Sequence, residues 1–155
     1  MKKKIISIFF FLVFSSCSEE PEVPVANLNC SDIKIEAGVA FYQNLKFSGS
    51  CITFYPESLS KDEIRTYKNG LRDGVWVKFY ENTNLRYIGV AKKGEITGKY
   101  RSYYDNGSLE DSGKMYKGYK DGIWYKFDIY NQLRRKTQFN KGRILRDEKF
   151  DEYVY

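Results

Sequence analysis

Few side chains in this 155-residue sequence are equipped for catalysis. Histidine is absent, which excludes Ser-His and Cys-His nucleophile pairs, an imidazole general base and a His zinc site. Acidic residues do occur as adjacent pairs, as at Glu110-Asp111, Asp147-Glu148 and Asp151-Glu152. Neighbours along an extended strand point to opposite faces, so the two members of a pair do not converge as a general acid and base must. The expectation is a non-enzymatic protein with no catalytic residue, no metal site and no cofactor. What needs explaining instead is three cysteines, at positions 17, 30 and 51, and an aromatic surplus of 14 Tyr, 11 Phe and 2 Trp.

Cys17 ends a segment with the form of an export signal. Lys2, Lys3 and Lys4 precede an apolar run from Ile5 to Phe14 broken only by Ser7, and Ser15-Ser16 supplies small residues before the cysteine. The run is far shorter than the roughly 18 to 20 apolar residues of a membrane span, so residues 1–16 are expected to be a signal peptide. The arrangement resembles a bacterial lipoprotein signal, with Phe14 where leucine is usual. That resemblance implies lipidation of Cys17; the alternative is an ordinary secretory peptide that leaves it unmodified. At about 0.8 kcal/mol per buried methylene, more than one acyl chain anchors a protein without spanning the membrane. Residues 17–29 then form a tether, with Glu19, Glu20 and Glu22 and two prolines favouring an extended chain. Serine after the cysteine resembles lipoproteins of the outer membrane, and the acidic residues resemble surface-export signals. The implied location is the bacterial cell envelope, with the protein facing the periplasm or the surface.

With Cys17 lipidated, Cys30 and Cys51 are left as one pair. In an oxidising compartment a disulfide closing that loop would contribute about 3 kcal/mol. Two buried free thiols are the other reading, because sequence alone does not bring the two Cα atoms together.

The chain repeats every 24 residues. Gly74, Gly98 and Gly122 share that spacing, as do Gly70, Gly94, Gly118 and Gly142. The segments Gly74-Val75-Trp76-Val77-Lys78-Phe79-Tyr80, Gly98 to Tyr104 and Gly122 to Asp128 align on it, with Leu85, Leu109 and Leu133 following. An earlier unit at Gly49 to Tyr55 is one residue out of step and carries the insertion Pro56 to Asp62. Each unit holds two runs of aromatic and β-branched residues between Asn, Asp and Gly clusters, the pattern of a β-hairpin. Asn106-Gly107 is expected to form a tight inner turn, and each outer turn is expected to contain both glycines, as in Asn69-Gly70 to Gly74. The predicted fold is all-β, an antiparallel meander of repeated hairpins in one elongated, twisted sheet. The domain runs over 30–155, with a lead-in at 30–48, repeats at about 49–73, 74–97, 98–121 and 122–145, and a cap at 146–155.

These residues resemble the variant MORN (membrane occupation and recognition nexus) repeat of bacterial proteins often labelled YwqK-type antitoxin components. The shared pattern is Asn/Lys-Gly-x-x-Asp/Thr-Gly-x-Trp/Tyr-x-x-Phe/Tyr-Tyr, over roughly residues 47 to 146. Residues 34 to 55 resemble the lead-in of exported members. Asp128 and Gln132 depart from the pattern, which implies a frayed or capping last hairpin. The resemblance implies binding of a protein partner, either as a scaffold or as an immunity-like neutraliser of a toxin.

Alternation places Trp76, Tyr100 and Trp124 in one column, with Phe79, Tyr103 and Phe127 on the other face unless a bulge intervenes. Leu85, Leu109 and Leu133 are expected to share a second-strand column with Ala91, Met115 and Phe139. The Trp76 column is either an aromatic ladder that stabilises a thin sheet or a binding groove for a sugar, peptide or lipid interface. Lys93, Lys117 and Lys141 line one edge, as solvated turn residues or as a contact for an anionic partner. The net charge of +6 falls to +3 once Lys2, Lys3 and Lys4 are set aside, with acids interspersed, so nucleic acid is not an expected partner.

Overall fold

A computed structural model describes residues 28–150. The signal peptide, Cys17 and residues 18–27 of the tether lie outside the described residues, as does the end of the cap at 151–155. The strands are β1 (Leu28–Asn29), β2 (Lys34–Glu36), β3 (Val39–Tyr42), β4 (Leu45–Lys46), β5 (Gly49–Phe54), β6 (Lys61–Lys68), β7 (Leu71–Phe79), β8 (Leu85–Lys92), β9 (Glu95–Tyr103), β10 (Leu109–Tyr116), β11 (Tyr119–Phe127), β12 (Leu133–Asn140) and β13 (Arg143–Lys149). From β5 to β13 each strand pairs with its neighbours in sequence, giving the long antiparallel meander that the repeats predict. No helix of the described residues is long and apolar enough to cross a membrane.

The N-terminal end departs from a pure meander. Leu28 and Asn29, expected within the tether, instead pair in parallel with Cys51 and Ile52 and cover the edge of β5. The lead-in forms its own three-stranded sheet, β2-β3-β4. Its β3 docks on the first outer turn, where Ala40 N–H donates to the Gly70 carbonyl at 2.7 Å.

The turns differ from expectation in a way that explains the repeat. The outer turns are two residues long, Asn69-Gly70, Lys93-Gly94, Lys117-Gly118 and Lys141-Gly142, with positive φ at both positions. Such primed turns match the twist of the flanking strands. The second glycines, Gly74, Gly98 and Gly122, are not in the turns. They lie inside β7, β9 and β11 beside register shifts, such as the one between Arg65↔Trp76 and Tyr67↔Arg72, and so act as bulge residues. The inner turns are three-residue loops. At Asn106-Gly107 only the glycine has positive φ, and Tyr104 N–H donates to the Ser108 carbonyl at 2.9 Å across the loop. A lysine in the left-handed region is strained, whereas asparagine tolerates it. Lys117→Asn is therefore expected to raise stability by about 0.5 kcal/mol, read as a higher urea midpoint with unchanged slope.

Successive repeats are tied by tyrosines. Tyr55, Tyr80 and Tyr104 donate their hydroxyls to the carbonyls of Phe79, Tyr103 and Phe127, each at the end of the next repeat's strand. Asp128 takes the fourth place in the sequence period. Its carboxylate accepts from Tyr130 and Gln132 N–H at 2.9 Å and from Arg134 Nε at 2.8 Å, closing its own turn.

The core lies in the N-terminal half. One cluster joins Ile33, Ala40, Cys51 and Tyr67 where the lead-in packs on the main sheet. The other is a cross-strand row, Ile52, Ile64, Val77 and Ile88, supported by Val75, Phe79, Leu85 and Tyr103. Continuing through the register, the row becomes Arg101, Ser112, Tyr125, Lys136 and Glu148, so this face turns from apolar to polar toward β13.

Candidate binding face and its charged end

On the opposite face an aromatic ladder crosses the sheet. Ring centroids lie 4.6 Å apart from Trp76 to Tyr87, 6.1 Å from Tyr87 to Tyr100, 5.7 Å from Tyr100 to Trp124 and 6.5 Å from Trp124 to Phe139. Trp76, Tyr100 and Trp124 are thus on one ladder, but Tyr87 and Phe139 extend it and were not assigned to it from the sequence. The rings lean over glycines: Gly89 pairs with both Trp76 and Tyr100, and the Trp124 ring lies across Gly113. Glycine in a strand, covered by an aromatic neighbour, was the available signal. Leu85 packs in the aliphatic cluster while Phe139 meets Trp124 edge-on, so the expected joint column of leucines with Ala91, Met115 and Phe139 divides between the two faces.

The ladder does not offer open ring faces along its length. Trp124 is 3% exposed, its Nε1–H donates to the Lys114 carbonyl at 3.0 Å, and Lys120 Nζ sits 4.1 Å from its ring centroid. Trp76 is half-buried, with the Arg72 guanidinium 5.6 Å over its ring. Burial, with Glu63 and Tyr100 nearby, pushes the Tyr87 hydroxyl up to about 12, and burial raises Tyr100 as well. These phenols stay neutral and act as packing groups. A depression of about 280 Å³ at the β11–β12 end has Trp124 and Phe139 in its floor and Asp111, Lys120, Lys126 and Arg135 around it.

Glu63 anchors the other end of the ladder. It is 6% exposed, accepts from Arg65 at 2.6 Å and from the Trp76 indole N–H, and lies 3.5 Å from Arg72. Burial alone would push its carboxyl up. The hydrogen bonds from Arg65 and Trp76 and the charges of Arg65 and Arg72 outweigh that and hold it below the model-peptide value of 4.5. A depressed folded-state pKa gives stability that is present above the unfolded value and lost as pH falls through the folded one. Stability is therefore expected to decline as pH drops below about 4.5. Glu63→Gln is expected to cost about 2 kcal/mol at pH 7 and to flatten that decline, checked by denaturant midpoints across an acid pH series.

The carboxylates of Glu110-Asp111 and Asp147-Glu148 are engaged by cations. Asp111 pairs with Lys120 at 3.3 Å, Glu110 with Lys126 at 3.4 Å and Glu148 with Arg146 at 2.9 Å. Asp147 holds Arg135 through two hydrogen bonds and accepts from Thr137 at 2.8 Å. Those bonds, Arg135's first, draw the Asp147 carboxyl down to about 2. A general acid needs the opposite shift. Among the described residues no cluster of three or more His, Cys, Asp or Glu side chains is arranged to hold a metal ion.

Cys30 and Cys51 are joined by a disulfide, with Cα atoms 5.0 Å apart. The parallel pairing of Leu28 with Cys51 and the helical turn at Cys30–Asp32 bring the two cysteines together. Lys93, Lys117 and Lys141 occupy the equivalent position of successive outer turns. Their surroundings differ: Lys93 and Lys141 N–H groups donate to Asp73 and Asp121, Lys117 Nζ is 3.7 Å from Glu95, and Lys141 Nζ lies 5.2 Å over the Tyr116 ring. Turn geometry accounts for their backbone, and the lysine heads are only partly committed.

The chain matches no family model, no curated protein and no solved structure.

Proposed function

We propose that this chain is a non-enzymatic binding or scaffold lipoprotein of the bacterial envelope, built from MORN-like repeats, held to the outer membrane through Cys17 and working by contact with a protein partner. The observation that carries the reading is the repeat sheet itself. Tyrosine hydroxyls tie successive repeats together and ion pairs engage Asp111 and Glu110, so it presents a rigid, extended surface. Rigid repeat surfaces favour protein contact because little ordering entropy is lost on association. The disulfide supports the envelope assignment, since such bonds persist in oxidising compartments.

Two measurements test it. Changing Cys17 to Ser should release the protein from the membrane fraction and change its electrophoretic mobility; retention with unchanged mobility would remove the anchor. Cross-linking in intact envelopes, followed by purification of the tagged protein, should yield a specific partner. Should that partner be a toxin whose lethality this protein cancels, the scaffold reading gives way to neutralisation by binding.

A further inference from the structure

The far end of the sheet differs from the rest in charge, exposure and pairing. β13 is the last strand of the order, and no described strand covers its outer edge, whereas β1 covers the opposite end. Residues 126–149 hold eight Lys and Arg against three Asp and Glu, a local charge of +5 in a chain whose total is +6. Lys136, Lys141, Arg143 and Lys149 make no ion pair among the described residues. β13 is exposed almost throughout, with Ile144 at 52% and Leu145 at 48%.

The cations surround this edge and do not form a plane. Arg135 and Lys149 are register partners on the ladder face, and Arg146, paired with Gln138, lies on the other face beside Lys136. Lys141 and Arg143 stand at the turn that joins the last two strands.

We propose that the β13 edge accepts an extended acidic strand from a partner protein, which adds one strand to the sheet. An incoming strand satisfies the open row of backbone N–H and C=O groups, and its side chains alternate between the two faces. Carboxylates directed to either face then meet cations, and Ile144 and Leu145 supply apolar contact. A membrane surface fits less well. It would engage one side of the cation set, and hydrocarbon leaves edge backbone groups unsatisfied. A second copy of the chain is also disfavoured. Antiparallel self-pairing centred on Arg146 sets that residue against its own copy, and like charges directly opposite one another are destabilising. The basic edge thus rejects itself and selects an opposite charge. This inference rests on the reading of the chain as a binding protein and not on its anchoring.

The test uses the full chain and a synthetic peptide that alternates glutamate with valine. The expected result is salt-sensitive binding with slowed amide exchange confined to residues 143–149 and their turn. The same peptide with lysine for glutamate, and one N-methylated at alternate peptide nitrogens, should each bind at least about tenfold more weakly. The double variant R146E/K149E, on an exposed edge that tolerates substitution, should exchange this preference for the lysine peptide. Equal binding of the two charge types, indifference to N-methylation, or protection appearing elsewhere in the sheet would overturn the proposal. Binding of phosphatidylglycerol vesicles that protects β13 when the peptide does not would replace it with a lipid surface, and a free chain already dimeric through β13 would replace it with self-association. If a cross-linked partner is found on another surface, the binding reading survives and only this edge is wrong. If no partner is captured at all, both fall.

Discussion

Gly113→Ala is expected to destabilise the protein by about 3 kcal/mol, at the upper end of what overpacking a tight site costs. The added Cβ would lie 2.3 Å from Trp124 Cδ2 and 2.4 Å from Cε2, in the body of the indole and not at the tip of a flexible chain. The ring has little freedom to yield. Its N–H is bonded to the Lys114 carbonyl, Lys120 lies over it and Phe139 abuts it edge-on. Displacing it would open the ladder between Tyr100 and Phe139 and unseat Lys120 from Asp111. Urea unfolding gives the loss, and near-ultraviolet circular dichroism should show a changed Trp124 environment in whatever remains folded. Gly107→Ala is the control, since a Cβ there meets nothing within 4 Å and only the turn conformation opposes it. If Gly113→Ala cost no more than Gly107→Ala, the packing of Trp124 on that backbone would be wrong.

Removing the disulfide by Cys30→Ala with Cys51→Ala is expected to cost a similar amount, about 3 kcal/mol, by freeing a loop of this size in the unfolded chain. The sequence separation is 21 residues, and Cys51 is fully buried among Ile33, Ala40 and Tyr67. Loss should therefore be concentrated at the lead-in. Amide exchange in β1 and the β2-β3-β4 sheet is expected to accelerate before exchange in β8 to β12, because those strands are held by their own ladder hydrogen bonds. Uniform acceleration across the sheet would mean that the lead-in and the repeats unfold as one unit. The same variant at neutral pH bears on the envelope reading, since a chain that cannot form the bond would behave as the protein does in a reducing compartment.

Much of the architecture was legible because a 24-residue period leaves a strand-turn-strand-turn unit little freedom. The Trp76, Tyr100 and Trp124 alignment followed from the period, and so did the lysines of the outer turns. Other features stayed hidden for identifiable reasons. Two glycines per outer segment look like one long turn, and only register shows that Gly70 turns the chain while Gly74 relieves a bulge. Bulges also break the parity rule, which is why Leu85 and Phe139 fall on different faces. Tyr87 was missed because its counterparts one and two repeats on, Asp111 and Arg135, are not aromatic, so repeat alignment gave no column. Tyr80 and Tyr104 are visible as repeating residues, but their bonds to the Tyr103 and Phe127 carbonyls depend on which strand ends lie side by side, which the period alone does not give. Asp128 departs from the tyrosine pattern, and its carboxylate closes its own turn by accepting from Tyr130 and Gln132 N–H.

The candidate site was less legible than the fold. A column of aromatic residues suggests a stacking platform, yet burial of Trp124 under Lys120 makes the ladder a spine with little open ring surface. Whole-chain charge concealed the basic end as well, because acids elsewhere offset the cations gathered in residues 126–149. Composition averages over the chain, whereas an open edge depends on which strand is last.

Site-specific photo-cross-linking in intact envelopes tests the central claim most directly, with the reactive group placed at Leu145 on β13 and, in a second protein, at Leu59 near the opposite end of the sheet, where exposure is 74%. The account predicts a discrete protein adduct at Leu145 that carries an acidic extended segment, disappears with R146E/K149E, and is absent at Leu59. Adducts of equal yield at both positions, or none at Leu145 while a partner is captured through the ladder face, would contradict it.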